Sequence, residues 1–311
     1  MNKFVSKILS FSILISCVAL ICLIAPQTPR MLHSPIYGKI KKDSLLNHVI
    51  GPRIVFIGGS NLPFGLDSKM IKDSLGLNPV NTGIMHTVGL KIMLDNYLKY
   101  SKSNDLVIIS PEYSHFFGNF MNGEASTLYF ASVNHMNPLQ GLDYGQLKSV
   151  LPHLPKYIFR KLDPREYWGF SISKFFNSQS FNEYGDIHEH WTLEPKPFSS
   201  EKEPDDEFNQ EVIDYILHFQ EVISNKNAKL YISPAPFNES SAKNNTKQIQ
   251  LVERKLKEAG LKTIGEFEEY IFDDSLFFNS PYHLIKSGTE LRTKMFISDF
   301  KARTHNNVSK K

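Results

Sequence analysis

Short apolar runs alternate with stretches of helical periodicity along most of the chain. Residues 53–57 are predicted to form a buried strand, because four apolar residues follow one another and three of them are β-branched. Further strands are predicted over residues 79–81, 106–109, 229–232 and 261–264. Helices are predicted over 68–75, 86–100, 208–223, 247–259 and 286–300. Helices that alternate with buried strands imply an α/β protein with a mostly parallel, doubly wound sheet.

The first apolar run, residues 8–25, contains no charged residue and is long enough to cross a membrane as a helix. We interpret it as an uncleaved signal anchor. A cleaved signal peptide is one alternative, although residues 22–25 lack an Ala-x-Ala-like site. A lipoprotein signal ending at Cys17 is another, although five more apolar residues follow it. The predicted localisation is the cell membrane, with a single span and an extracytoplasmic domain.

Charge and cysteine usage exclude several functional classes. The net charge of +3 comes from scattered lysines and a basic carboxyl terminus, not from a basic stripe with interleaved aromatic residues, which argues against a nucleic-acid partner. Both cysteines, Cys17 and Cys22, lie in the apolar run. The rest of the chain therefore has no nucleophilic thiol, and a domain without disulfides is compatible with an extracytoplasmic location.

The pattern predicts an anchor over residues 1–25, a tether over 26–50, a domain over 51–302 and a basic flexible tail over 303–311. An insertion over about 114–205 interrupts the domain and is rich in aromatic residues. It is too long for a simple crossover and too aromatic for a disordered loop, so we expect a helical cap over the sheet. Its aromatic side chains could be packed core or the walls of a substrate groove.

Two residues in different parts of the chain suggest nucleophilic catalysis. Ser60 follows the first strand and a glycine pair, at the strand end where open α/β sheets carry their chemistry. His283 precedes the last predicted helix. In this topology a histidine can reach the serine and take its hydroxyl proton, because serine alone is too weak a nucleophile. The alternative without catalysis is that Ser60 is the small residue a tight turn requires and that His283 is a polar residue flanking a helix.

Three short motifs resemble blocks one, two and five of the SGNH/GDSL hydrolase superfamily. They are Gly58-Gly59-Ser60-Asn61, Asn81-Thr82-Gly83 and Pro281-Tyr282-His283-Leu284. More narrowly, residues 106–113 and 278–293 resemble membrane-anchored SGNH-like bacterial proteins, similar in layout to factors that move acyl groups onto cell-envelope polymers. The resemblance covers roughly 53–113 and 229–300, and it implies a three-layer α/β/α fold.

The resemblance implies roles for individual residues. Ser60 would be the nucleophile, His283 the general base, and the N–H groups of Ser60 and Gly83 the oxyanion donors. Two features depart from the family. Glu112 stands near the place where the family has an asparagine after the third strand, and the position of the acid that orients the histidine reads Asn279 or Ser280. An asparagine cannot stabilise imidazolium as a carboxylate does.

Other residues are weaker candidates. Asp273, Asp274 and Glu112 are alternative orienting acids. The residues considered for substrate contact are Asn61, Glu112, Tyr113, Tyr282, Asp186, His188 and His190. The last three alternate along the chain and could share one face of a strand, which allows a metal site, but their spacing is unspecific and we predict neither a metal nor a cofactor.

These observations lead to two expectations. The first is a serine esterase or O-acyltransferase that acts on acyl esters of envelope carbohydrate, with an acyl-donor partner such as the multi-pass membrane acyltransferase that the family layout implies. The second is a catalytically degenerate member that binds envelope polysaccharide or assembles with a partner. The missing acid and the missing asparagine favour the second.

Overall fold

The computed structural model describes residues 2–202 and 206–305. Its strands are β1 (Arg53–Gly58), β2 (Asn78–Asn81), β3 (Leu106–Ser110), β4 (Lys229–Ile232), β5 (Phe237–Asn238) and β6 (Ile271–Phe272). Its α-helices are α1 (Asn2–Ile24), α2 (Pro29–Leu32), α3 (Lys39–His48), α4 (Ser68–Leu75), α5 (Leu90–Leu98), α6 (Ala125–Ser132), α7 (Tyr144–Val150), α8 (Leu154–Arg160), α9 (Gln210–Ser224), α10 (Glu239–Asn244), α11 (Thr246–Glu258) and α12 (Lys286–His305).

The main sheet has four parallel strands in the order β2-β1-β3-β4. After β1 the chain adds β2 on one side of β1 and then adds β3 on the other side. The direction in which strands are added therefore reverses between β1 and β3. In open α/β sheets such a switch point opens a crevice at the carboxyl ends of the strands. Ser60 follows β1 and Glu112 follows β3, so both residues lie at this crevice.

Both faces of the sheet are buried. Val55 and Ile57 of β1 pack in a cluster that includes α5 and α9 residues. Ile54 and Phe56 point to the opposite face and pack in a second cluster with residues of α4 and α12. Burial on both faces explains why the parallel strands have continuous apolar runs rather than an alternating pattern. The prediction of a mixed α/β protein with a parallel sheet is confirmed in this form.

Two of the predicted elements differ from those in the structure. The helix expected over 86–100 is divided, because Gly89 adopts a φ of 91° and a Cβ there would lie 2.5 Å from the Gly123 backbone nitrogen. A 3-10 turn at His86–Val88 precedes α5. The strand expected over 261–264 is reduced to one bridge, in which Thr263 pairs with Ile232 at the edge of β4.

Residues 26–50, predicted as a tether, are folded against the domain. Ile36, Tyr37 and Leu46 are buried in the main core cluster. The ammonium group of Lys42 is also buried and donates hydrogen bonds to the carbonyl oxygens of Asn81 and Gly185, both at 2.9 Å. These apolar contacts and the buried lysine hold α2 and α3 on the protein.

The insertion is only partly helical. It contains α6, α7 and α8, followed by largely irregular chain up to α9. Its expected boundary near 205 and the tail beyond 305 lie outside the described residues.

The amino-terminal helix α1 is exposed along most of its length, and it is long and apolar enough to cross a membrane. It is the one helix among the described residues that meets this criterion. Apolar side chains that pack on no protein require another apolar environment, which supports the interpretation of α1 as a single-pass anchor.

Candidate active site

Ser60 and His283 are in direct contact, although 223 positions separate them along the chain. The distance from Ser60 Oγ to His283 Nε2 is 2.8 Å, and His283 Nδ1 lies 2.8 Å from Asn279 Oδ1. An amide oxygen only accepts, so this arrangement places the ring proton on Nδ1 and leaves the Nε2 lone pair for the serine hydroxyl. This is the tautomer that a general base requires.

A short turned segment before α12 sets the position of the imidazole. Phe277 and Leu284 form an antiparallel bridge, and the Phe278 N–H donates to the His283 carbonyl at 2.7 Å. This closure brings Asn279 and His283 to the same side of the turn. The Phe64 ring stacks on the imidazole with a centroid distance of 4.1 Å and an interplanar angle of 17°. The side chain is therefore held from its face as well as from its two nitrogens.

Two glycines allow the serine turn to lie close to β3. A Cβ on Gly58 would be 2.5 Å from the Ser110 carbonyl oxygen, and one on Gly59 would be 2.3 Å from Glu112 Oε1. The contact with backbone excludes a larger residue at Gly58, whereas a Cβ at Gly59 would displace the Glu112 carboxylate. Arg292 lies behind the turn and donates to the Asn61 carbonyl at 2.6 Å. The turn is thus held between the end of β3 and α12.

Glu112 is a buried carboxylate beside the serine. Its Oε1 lies 3.4 Å from Ser60 Oγ and accepts the Asn61 N–H at 3.2 Å, while Oε2 lies 3.2 Å from His86 Nδ1. Burial alone would raise the pKa of Glu112, but His86 lowers it to about 2. Burial alone would likewise lower the pKa of His86, but Glu112 raises it to about 9. At neutral pH the two groups form an ion pair with no net charge.

The two N–H groups that the resemblance implies as oxyanion donors differ in whether they already have a hydrogen-bond acceptor. The Gly83 N–H already donates to Asn81 Oδ1 at 3.0 Å, which disfavours its expected role. A Cβ at Gly83 would lie 2.6 Å from the Gly59 carbonyl oxygen, so this glycine is explained by close packing of the two turns. Across residues 2–202 and 206–305, the Ser60 N–H has no hydrogen-bond acceptor, and it remains the donor available to an oxyanion.

Burial lowers the pKa of His283 to about 4, against a smaller raising effect of Glu112. An orienting carboxylate would oppose this effect, but the Nδ1 partner is the neutral Asn279. The imidazole is therefore neutral at physiological pH, as a base must be, but its affinity for the serine proton is low.

The other acids considered for orienting the histidine have different partners. Asp273 accepts from the Ser275 N–H at 2.9 Å, and Asp274 accepts from the Asn238 side chain at 2.8 Å. Glu112 pairs with His86. Asn279 alone among the considered residues contacts His283 Nδ1.

The candidates for substrate contact are mostly structural. The Asn61 side chain donates to the Ser110 carbonyl at 3.0 Å. Tyr113 and Tyr282 are both buried, and the Tyr282 hydroxyl accepts the Tyr113 N–H at 3.2 Å. These side chains hold the ends of the strands together, so they are poorly placed to receive a ligand.

The alternating acid and histidines of the insertion do not meet at one point, although His188 Nε2 lies 3.8 Å from Asp186 Oδ2. Asp186 is buried and accepts hydrogen bonds from Ser68 and Asn81. His190 contacts the Leu284 carbonyl through Nε2 at 2.8 Å, whereas His188 stacks on Trp191. Among the described residues, no group of three potential ligands is arranged to hold a metal ion. Asp186 instead links the insertion to the turns after β1 and β2.

Sequence reasoning did not identify three residues that shape the site: His86, Arg292 and Phe64. No local motif marks them, because each acts through a partner that is distant in sequence. A charged residue in the middle of the last helix was the only available signal for Arg292.

A cavity of about 450 Å³ lies close to the paired residues. Phe176 forms part of its wall, and the Phe176 ring contacts Phe64 and lies 6.5 Å from the His283 ring. Ser60 itself is only 8% exposed. Neither Ser60 nor His283 is part of the cavity lining. The basic residues in the lining are Arg30, His33, His153, Lys156 and Arg160.

Comparisons with protein-family models and with curated proteins find no match for this chain. The functional interpretation therefore depends on the contacts described above.

Proposed function

We propose that the protein is a membrane-anchored, extracytoplasmic serine esterase or O-acyltransferase with an SGNH-like fold, acting on acyl esters of envelope carbohydrate. The observation that carries this proposal is the pair of contacts made by His283, to Ser60 Oγ through Nε2 and to Asn279 through Nδ1. The substrate class and the location rest on the family resemblance and on α1 as an anchor.

The reaction follows from these contacts. Ser60 Oγ attacks the ester carbonyl carbon while His283 Nε2 takes the hydroxyl proton, and the Ser60 N–H donates to the developing oxyanion. Collapse of the tetrahedral intermediate breaks the ester bond, and the leaving alcohol takes the proton from Nε2. Water or a sugar hydroxyl then attacks the acyl-serine carbonyl carbon and passes its proton to His283. Collapse of this second intermediate breaks the bond between the acyl group and Ser60 Oγ, which takes the proton back from His283 Nε2. Hydrolysis results with water, and acyl transfer with the sugar.

Labelling of the full chain in detergent with a fluorophosphonate probe tests the proposal, with intact mass as the readout. We expect one adduct on the wild type and none on Ser60→Ala. His283→Gln should slow labelling about 10²-fold or more, because general-base assistance has that magnitude. Ser233→Ala is the matched control, since Ser233 also follows a strand and is buried, but within the described part of the chain its hydroxyl donates only to the Pro234 carbonyl.

Labelling that persists unchanged in Ser60→Ala would contradict the mechanism. If the probe labels Ser60, release of acetate from an O-acetylated polysaccharide is the next measurement, and Ser60→Ala should abolish it.

A catalytically degenerate binding or assembly factor is the second candidate. It is favoured by Glu112, whose carboxylate lies 3.4 Å from Ser60 Oγ, and by the engaged Gly83 N–H. A folded chain that takes up no probe but binds polysaccharide equally well with and without Ser60 would establish this alternative.

A further inference from the structure

A run of exposed apolar residues lies on the insertion around α8. Trp168 is 74% exposed and Phe159 is 61% exposed. The other exposed apolar or aromatic residues of this run are Leu151, Leu162, Tyr167 and Ile172. We call residues 151–172 the α8 surface. Large apolar side chains this close together on a surface typically mark a binding face.

The α8 surface contacts the end of the candidate anchor. The Lys161 ammonium donates to the carbonyl of Ala25, and the Gln27 side chain donates to the Tyr157 hydroxyl. Cys22 is buried, whereas its neighbours Ile21 and Ile24 are exposed. One side of the last turns of α1 is therefore covered by protein, and α8 packs there.

The contact between the α8 surface and Ala25 fixes the depth of the α8 surface relative to a bilayer that α1 crosses. The apolar run over residues 8–25 would span roughly 27 Å as a helix, about the thickness of the hydrocarbon core. If α1 crosses the membrane, Ala25 lies where the hydrocarbon core ends. A side chain that bonds to the Ala25 carbonyl then lies at the level of the lipid headgroups.

The composition of the α8 surface is suited to the lipid headgroup region. Tyr167 and Trp168 are neighbours, and amphipathic aromatic rings are enriched at the membrane interface. The run contains four basic and two acidic residues. Both acids are already paired: Asp163 with Arg165 at 2.7 Å, and the buried Glu166 with Arg160 at 2.8 Å. The exposed Lys156 is left to attract anionic headgroups, whereas the buried Lys161 is engaged by the Ala25 carbonyl.

We propose that the α8 surface docks into the headgroup region of the membrane from which α1 emerges. This inference rests on the membrane anchoring in the proposed function. The partner is the lipid bilayer itself, because the surface is continuous with the end of the spanning helix. Lys156, Arg160 and Ile172 of the same surface also line the 450 Å³ cavity, so docking places the wall of that cavity beside the lipid headgroups.

Tryptophan quenching by brominated lipids tests the docking. The chain has two tryptophans, so Trp191→Phe leaves Trp168 as the single reporter and Trp168→Phe leaves Trp191. The full chain is placed in lipid nanodiscs with bromine atoms near the top of the acyl chains. We expect strong quenching and a blue-shifted emission for Trp168, with more quenching than for Trp191, and a larger effect when part of the lipid is phosphatidylglycerol.

A charged variant checks that the apolar contacts cause the effect. Phe159→Glu with Leu162→Glu should reduce the quenching of Trp168 at least twofold, because burying carboxylates at the interface is unfavourable. Leu217→Glu is the matched control, since Leu217 is an exposed leucine on α9, and it should leave the quenching unchanged.

The outcomes separate the inference from the proposed function. A chain that stays in the discs while aqueous acrylamide, and not bromolipid, quenches Trp168 would overturn the docking and leave the anchor intact. A chain that does not enter the discs would overturn both docking and anchoring. Fluorophosphonate labelling of the same sample reports on the serine chemistry independently of either result.

Discussion

The basicity of His283 depends on what faces its two ring nitrogens. Nε2 faces Ser60 and Nδ1 faces the neutral amide of Asn279, so no carboxylate is in contact with the ring to offset the cost of burying its charge. The pKa of His283 is consequently lowered to about 4 by burial. A base of this kind can remain neutral in mildly acidic surroundings, but it takes a proton from serine less readily than an imidazole paired with an acid.

Replacing Asn279 by Asp should strengthen this base. A carboxylate opposite Nδ1 would stabilise the imidazolium and raise the pKa of His283. We expect faster fluorophosphonate labelling at neutral pH, by a factor bounded by about 10⁴, and an acid limb of the rate profile at higher pH than in the wild type. Asn279→Ala, which removes the acceptor, should slow labelling. Equal rates and identical acid limbs for Asn279→Asp and the wild type would show that Asn279 does not control the base.

The negative charge of Glu112 beside Ser60 is compensated by the positive charge of His86. Glu112 alone would oppose a developing oxyanion near Ser60, but the His86 imidazolium compensates for it. The ion pair also holds the Asn61 N–H, which fixes the turn after the nucleophile. The sequence alone shows that the asparagine of the superfamily it resembles is missing near this place. No linear pattern marks His86, because this residue meets Glu112 only in the folded structure.

At the scale of single elements, α12 illustrates what periodicity can and cannot predict. Its start at Lys286 agrees with the predicted range. However, its buried face is partly polar: Thr289, Arg292 and Thr293 are all buried. Thr293 accepts the Asp67 N–H at 3.0 Å and Arg292 donates to the Asn61 carbonyl. A pattern that assigns polar residues to the solvent cannot predict contacts of this kind.

Removing the Arg292 guanidinium should loosen the serine turn. Arg292→Met leaves the Asn61 carbonyl and the Ser110 hydroxyl without this donor. Hydrogen bonds from charged groups contribute about 1.5–3 kcal/mol, so we expect the free energy of unfolding to fall by about 2–4 kcal/mol in urea titrations. Labelling of the remaining folded protein should also slow.

Arg254→Met on the exposed side of α11 provides the control and should change the free energy of unfolding by at most about 0.5 kcal/mol. If both variants unfold at the same urea concentration as the wild type, Arg292 does not hold the turn.

At the scale of the whole molecule, the parallel sheet was predictable and the covering segments were not. Apolar runs such as residues 54–57 and 106–109 identify strands by composition alone. Residues 26–50 and the insertion are held by contacts between distant parts of the chain, such as Lys42 with the Asn81 and Gly185 carbonyls and Asp186 with Ser68. These pairings depend on topology, so a linear pattern contains no signal for them.

The pH dependence of stability tests one of these covering contacts. His190 of the insertion is buried against Leu284, and burial lowers its pKa to about 4 from an ordinary value near 6.5. Between these values the unfolded chain binds a proton that the folded chain does not. The stability due to neutral His190 is therefore complete above pH 6.5 and is lost as the pH falls toward 4.

His190→Gln keeps a donor for the Leu284 carbonyl but cannot titrate. Relative to this variant, the wild type should lose up to about 3 kcal/mol of unfolding free energy between pH 6.5 and 4, measured by urea titration of the full chain in detergent. His48→Gln, at an exposed site of α3, is the matched control, and its curve should stay parallel to the wild type. Parallel curves for His190→Gln as well would mean that His190 is hydrated or charged in the folded protein, and that the insertion does not seal this side of the site.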